Sequence, residues 1–206
     1  MPPSRLSFLI ARSLRREAAL MRLSVPRAAL AAQAAGQRIA LVGNARALSS
    51  GDSGAAIDRA DMVVRINRAP TPSTRTHGMR TDWLMLAASV TSQDLTRIRP
   101  GRILWMSPKR KRLSWGVSTS PGFYLHPRAD HTRLRDALGA PPTTGLLAID
   151  LLLSLNPASL TLYGFDFFAS LSLTGSRKAA QVPHDFAAEK AWVEARAARD
   201  PRLRFG

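Results

Sequence analysis

Apolar residues in this chain come in short runs set between polar, Gly- and Pro-containing stretches, and each run predicts an element. Arg38-Ile39-Ala40-Leu41-Val42 is apolar from its second residue, stops at Gly43-Asn44, and reads as a buried parallel strand. A Ser/Gly loop over 49–54 and a short helix over 55–60 follow, and Met62-Val63-Val64-Arg65-Ile66-Asn67 repeats the strand pattern. Further strands are predicted at Asp82–Leu86, Arg102–Met106, Ser159–Tyr163 and Arg202–Phe205. The run Leu146–Leu155 is apolar nearly all round and predicts a helix buried on every side, stopped by Asn156-Pro157. Another helix is expected over Ala187–Arg199. Strands alternating with helices indicate an α/β fold, a Rossmann-like, mostly parallel sheet flanked by helices.

The first 36 residues read as a separate basic amphipathic segment, with residues 37–206 as the main domain. Leu6, Ile10, Leu14, Ala18 and Met21 fall near one helical face, and Arg5, Arg12, Arg15, Arg16 and Arg22 surround it. Glu17 is the only acid before Asp52. Three readings stand: a helix lying on an anionic membrane, a helix packed on its own domain, or a frayed tail. Pro26 and the Ala-rich run to Gly36 give a second helix or a linker.

Composition narrows the partners. Thirty Lys and Arg against 14 Asp and Glu leave a formal charge of +16, which suits a nucleic acid, an anionic membrane or a polyanionic substrate such as a nucleotide sugar. No RNA-binding aromatic signature, zinc-finger spacing or basic zipper is present, which disfavours nucleic acid. The absence of cysteine excludes disulfides and thiolate metal sites. No apolar run reaches the ~18 residues of a membrane span, and Leu6–Ala11 is shorter than the apolar region of most signal peptides. A cytoplasmic protein is therefore expected, peripheral on the inner face of the cytoplasmic membrane if the first segment binds lipid.

Open α/β sheets bind ligands beyond the carboxyl ends of their strands. Gly43 and Asn44 close one predicted strand and Asn67 closes the next, while Thr143, Thr144 and Gly145 open the buried helix. Asparagine amides, threonine hydroxyls and helix N-terminal amides can all donate to an anion, and Gly43 can admit a ligand close to the backbone. The same residues also suit turns and caps. Neither a Walker A loop nor a Gly-x-Gly-x-x-Gly loop is present, which disfavours ATP and NAD chemistry. His184, with Glu189 five residues on, is a candidate base. A His126/His131 metal pair lacks supporting carboxylates beyond Asp130.

Together these segments resemble the sialyltransferases of glycosyltransferase family 29, as a short, bacterial-type member. Ile39 to Asn44, continuing through the Ser/Gly loop to Val64-Arg65-Ile66-Asn67-Arg68-Ala69-Pro70, is similar to the large sialylmotif. Pro142-Thr143-Thr144-Gly145, the apolar helix and Leu162-Tyr163-Gly164-Phe165 are similar to the small one, and His184 to Glu189 to the very short one. His77-Gly78-Met79-Arg80-Thr81-Asp82 resembles a segment lying between the first two.

The resemblance covers roughly residues 37–195 and implies a GT-A-like fold and an inverting, metal-independent transfer from a CMP-sugar. The donor sugar it implies is sialic acid, with Kdo as the chemically close alternative, and the acceptor is a glycan or glycolipid hydroxyl such as one of lipopolysaccharide. Gly43, Asn44, Asn67, Thr143, Thr144 and Gly145 would bind the donor, His184 would be the base and Glu189 its support. Three departures accompany it. The family's paired cysteines fall at Ile39 and Asn156, a serine after the first asparagine is Ala45, and the histidine- and tyrosine-bearing fourth motif has no counterpart in residues 170–183, where Arg177 or Lys178 would have to stand in. The competing readings are a catalytically impaired nucleotide- or nucleic-acid-binding protein on the same fold and an S-adenosylmethionine-dependent transferase.

Overall fold

The computed structural model describes residues 4–167, 173 and 183–206. Its seven strands are β1 (Arg38–Val42), β2 (Met62–Ile66), β3 (Trp83–Leu86), β4 (Arg102–Trp105), β5 (Tyr124–Leu125), β6 (Ser159–Tyr163) and β7 (Leu203–Phe205). They form one sheet in the order β5-β4-β3-β2-β1-β6-β7, every pair parallel. The sheet is thus wholly parallel where the sequence predicts mostly parallel. The six predicted strands are present, and β5 is additional. Two residues are too few to show a period.

The helices are α1 (Arg5–Ser13), α2 (Glu17–Met21), α3 (Arg27–Ala34), α4 (Gly54–Asp58), α5 (Thr74–His77), α6 (Ser92–Ile98), α7 (Trp115–Ser118), α8 (Arg128–Leu138), α9 (Thr144–Ser154) and α10 (Phe186–Arg199). Alternate residues of β1 feed opposite cores. Ile39 and Leu41 join one with α3, α9 and α10 residues, while Ala40 and Val42 join another with Ile57 of α4. Both faces are covered, so the central strands read as unbroken apolar runs. Helix α9 buries Gly145–Ile149 and Leu151–Leu153 and packs against β3 and β6, as its all-round hydrophobicity requires.

The stretch expected to stand apart does not do so over residues 4–36. Phe8, Ala11 and Leu20 enter the core beneath β3 and β4, and Leu30 and Ala34 enter the core on the other face. Nor is the stripe from Leu6 to Met21 one helix: Arg15 adopts a left-handed conformation (φ 54°) and separates α1 from α2. The break places Glu17 beside the buried guanidinium of Arg110. Arg110 donates to Glu17 Oε1 (2.5 Å), to the Ser107 carbonyl (2.6 Å) and to the His126 carbonyl (2.6 Å). One cation thereby ties the carboxyl ends of β4 and β5 to α2. Charge-assisted bonds of this kind are the strong ones. Among the described residues, no helix is long and apolar enough to cross a membrane.

Candidate active site

Sheet order reverses between β1 and β6, and there the strand ends open onto a cleft of about 680 Å³. Open α/β sheets bind ligands at such a switch point. Gly43, Asn44, Asn67, Thr143, Thr144, Gly145, His184 and Glu189 all line this one cleft, although nearly 150 residues of chain separate the first from the last.

The two asparagines are held with N–H groups to spare. The Asn67 Oδ1 accepts the Ala87 N–H (3.0 Å). A backbone N–H can only donate, so the oxygen must face it and both Nδ2 hydrogens remain for the cleft. The left-handed backbone of Asn67 (φ 53°) is one that asparagine tolerates better than most residues. Asn44 donates one Nδ2 hydrogen to the Ile66 carbonyl (3.4 Å) and keeps the other.

Thr143 takes the capping part that the sequence offers beside ligand binding. Its Oγ1 caps α9 by accepting the Leu146 N–H (3.1 Å) and donates its own proton to Glu189 Oε2 (2.7 Å). Its backbone N–H donates to Glu189 Oε1 (2.6 Å). With ionised Glu189 both donors of Thr143 are committed to positioning the helix start. The unsatisfied first-turn amides of Thr144 and Gly145 are what α9 presents to an anion. Glu189 is correspondingly more than a neighbour of His184. It is buried, and burial pushes its carboxyl up to about 7 against the two Thr143 bonds that lower it.

His184 Nδ1 lies 2.7 Å from the Pro141 carbonyl. A carbonyl only accepts, so Nδ1 carries the proton and Nε2 is left as the proton acceptor. The sequence shows the imidazole but not Pro141, which fixes its tautomer from 43 residues away.

Packing by itself requires glycine at 43 and 145. A Cβ on Gly43 would lie 2.4 Å from the Gly164 carbonyl oxygen and 3.0 Å from the Phe165 ring, and one on Gly145 would lie 2.8 Å from the same ring. Phe165, just past β6, fits because both neighbours lack side chains, and it lines the cleft. Gly43→Ala meets a backbone atom that cannot swing aside. It is expected to lower stability by about 1–3 kcal/mol, read as a lower denaturation midpoint in urea.

A basic rim was not singled out from the sequence. Lys109 and Arg112 beyond β4, with His131 and Arg135 of α8, also line the cleft. The unbroken run Lys109-Arg110-Lys111-Arg112 was the available signal. His126 does not share that rim; it is buried, and burial with the Arg110 cation pushes its imidazole down to about 3. Among the described residues, no group of three or more His, Cys, Asp or Glu side chains is placed to hold a metal ion. The His77–Asp82 segment lies outside the cleft; the buried Arg65 donates to the His77 and Arg80 carbonyls and secures it to β2. Arg177 and Lys178, expected to stand in for the fourth motif, lie outside the described residues.

Comparison with known proteins agrees with this arrangement. The structure resembles a mammalian sialyltransferase crystallised with Gal-beta-1-3GalNAc-ortho-nitrophenol, at a TM-score of 0.65 and 18% identity over 100% of this chain and 80% of the other. It also resembles the sialyltransferase CstII from Campylobacter jejuni in complex with CMP-3FNeuAc, at a TM-score of 0.57 and 12% identity over 82% of this chain and 81% of that one. Identities this low establish a shared fold. Comparison with curated protein sequences finds no match. Residues 13–116, half of the chain, match the family model described as glycosyltransferase family 29 (sialyltransferase). The matched stretch runs from the last residue of α1 into α7 and includes both asparagines of the cleft. The chain belongs to glycosyltransferase family 29, the sialyltransferases.

Proposed function

We propose that the protein transfers an acidic sugar, sialic acid or the chemically close Kdo, from its CMP-activated form to a glycan or glycolipid hydroxyl. The reading rests on one observation. A single cleft joins two asparagines with uncommitted N–H groups, the open amides of a buried helix, and an imidazole whose Nε2 is free to take a proton. The acceptor oxygen attacks the anomeric carbon and a new C–O bond forms. The bond from that carbon to the phosphate oxygen breaks, CMP leaves with the electron pair, and configuration inverts. His184 Nε2 receives the hydroxyl proton as the nucleophile attacks. Asn44, Asn67 and the Thr144 and Gly145 amides meet the charge gathering on the leaving phosphate. CMP leaves as a monoester, whose charge this many donors can address without a metal. The C. jejuni relative, which is described with a CMP-3FNeuAc substrate analogue, supports a donor of this class. The part of the lining that carries Lys109, Arg112 and Arg135 is assigned to the acceptor.

The test is a thermal-shift comparison of CMP, CDP, UDP, ADP and S-adenosylmethionine, followed by CMP release from CMP-sialic acid and CMP-Kdo. CMP should stabilise the protein most, and at least one CMP-sugar should release CMP slowly even without acceptor. Stabilisation without any release would identify a binding protein on this fold, and stabilisation by S-adenosylmethionine alone would overturn the reading.

A further inference from the structure

The exposed large apolar residues of the described chain are concentrated in one place. Leu6 (68% exposed), Leu9 (39%), Ile10 (45%) and Leu14 (59%) lie on α1 or at its carboxyl end, whereas elsewhere Met79 and Phe205 stand singly. The helix is amphipathic in an unusual sense. Its inward face, Phe8 and Ala11, is buried in the domain, and its outward face is also apolar. Isolated surface leucines need no explanation, but four within three turns of one helix do.

Cations frame this face. Arg5, Arg12, Arg15 and Arg16 lie within or beside α1, and Arg12 donates to the Leu113 carbonyl (2.8 Å), joining α1 to the loop that carries Lys109, Lys111 and Arg112. No carboxylate among the described residues forms an ion pair with any of these seven, although Arg110 between them is paired with Glu17. Exposed leucines and isoleucine flanked by uncompensated arginine and lysine are the chemistry of a helix lying in the headgroup region of an anionic bilayer.

We infer that the outer face of α1, with the basic loop at 109–112, seats this protein on an anionic lipid surface and holds the cleft mouth beside it. Lys109 and Arg112 line the cleft, and the turn Arg110–Arg112 packs against α1. The surface that meets the lipid is therefore continuous with the acceptor side of the cleft. The seating itself does not depend on the transferase reading; the advantage it gives to a lipid-linked acceptor does.

Co-sedimentation of the full chain with phosphatidylcholine vesicles, with and without phosphatidylglycerol, tests this. Binding is expected only with the anionic lipid, weakening as salt is raised. The triple variant Leu6→Ser, Ile10→Ser, Leu14→Ser should lose at least about tenfold in vesicle affinity with an unchanged melting temperature, because those side chains are already exposed. Met79→Ser with Phe205→Ser should bind like the wild type. Equal binding by the triple variant, or equal binding to neutral and anionic vesicles, would overturn the inference. So would a wild-type dimer that ignores vesicles and becomes monomeric in the triple variant, since the face would then cover a second copy. Intact vesicle binding without CMP release from any donor would instead count against the transferase reading alone.

Discussion

His184→Ala is expected to reduce transfer by about 10²–10⁴-fold while CMP still stabilises the protein against heat nearly as well as before. The separation of the two effects is what the geometry demands. The imidazole is anchored through Nδ1 to the Pro141 carbonyl, and the groups assigned to the phosphate come from β1, β2 and α9. Removing the ring takes away the proton acceptor and leaves those donors in place. His184→Gln provides a sharper comparison, because its amide nitrogen can still donate to Pro141 but offers no basic nitrogen. A fall as deep as that of alanine assigns the loss to proton transfer, whereas recovery by glutamine would make His184 a spacer. Unchanged turnover in the alanine variant would remove it from the mechanism altogether.

Glu189 should make stability depend on pH in a direction opposite to that of most carboxylates. Its value rises from 4.5 to about 7 on folding, chiefly through burial. The folded protein therefore holds this proton more tightly than the unfolded chain. The stabilisation is complete below about pH 4.5 and is lost as pH climbs through about 7. At 1.36 kcal/mol per pH unit the whole effect is about 3 kcal/mol, or roughly 6–12 °C in melting temperature for a chain of this size. His126 acts the other way, because burial holds its imidazole neutral down to about pH 3. The two oppose each other between about pH 4.5 and 6.5, so the wild-type profile alone is ambiguous. The difference between wild type and Glu189→Gln isolates the carboxyl. The variant keeps an oxygen for the Thr143 N–H, and its amide nitrogen can donate to Thr143 Oγ1. It should therefore gain on the wild type as pH rises from 5 to 8. Glu189→Ala, which orphans the Thr143 N–H, should be less stable than the wild type at acidic pH, where the contribution of Glu189 is greatest. A constant difference between wild type and glutamine variant would mean that Glu189 is ionised throughout.

Both residues show how the site became legible. An imidazole five residues ahead of a glutamate, two strand-ending asparagines and a Thr-Thr-Gly before an apolar helix can be read directly, because each depends on local chain direction. Their partners cannot. Thr143 looks like a ligand donor until Glu189 is placed 46 residues away with both of its oxygens on it. Gly43 looks like a gap for a ligand until Phe165 is found packed against it and against Gly145. At the amino terminus the apolar stripe of Leu6, Ile10 and Leu14 is real, but it faces outward, and the residues that dock α1 are Phe8 and Ala11.

What the sequence determined by itself was the identity of the elements: six of the seven strands, the fully buried helix and the residues that end them. Runs of apolar side chains and the residues that stop them act over a few positions, so local order suffices to read them. The tertiary structure alone decided the strand order, and with it the reversal between β1 and β6 that opens the cleft. Every central strand is an equally apolar run that any parallel neighbour could pair, so nothing local specifies which strand lies beside which. That choice is made by how the helices cover both faces at once, and only then do the asparagines, the amino end of α9 and the imidazole come to share one space.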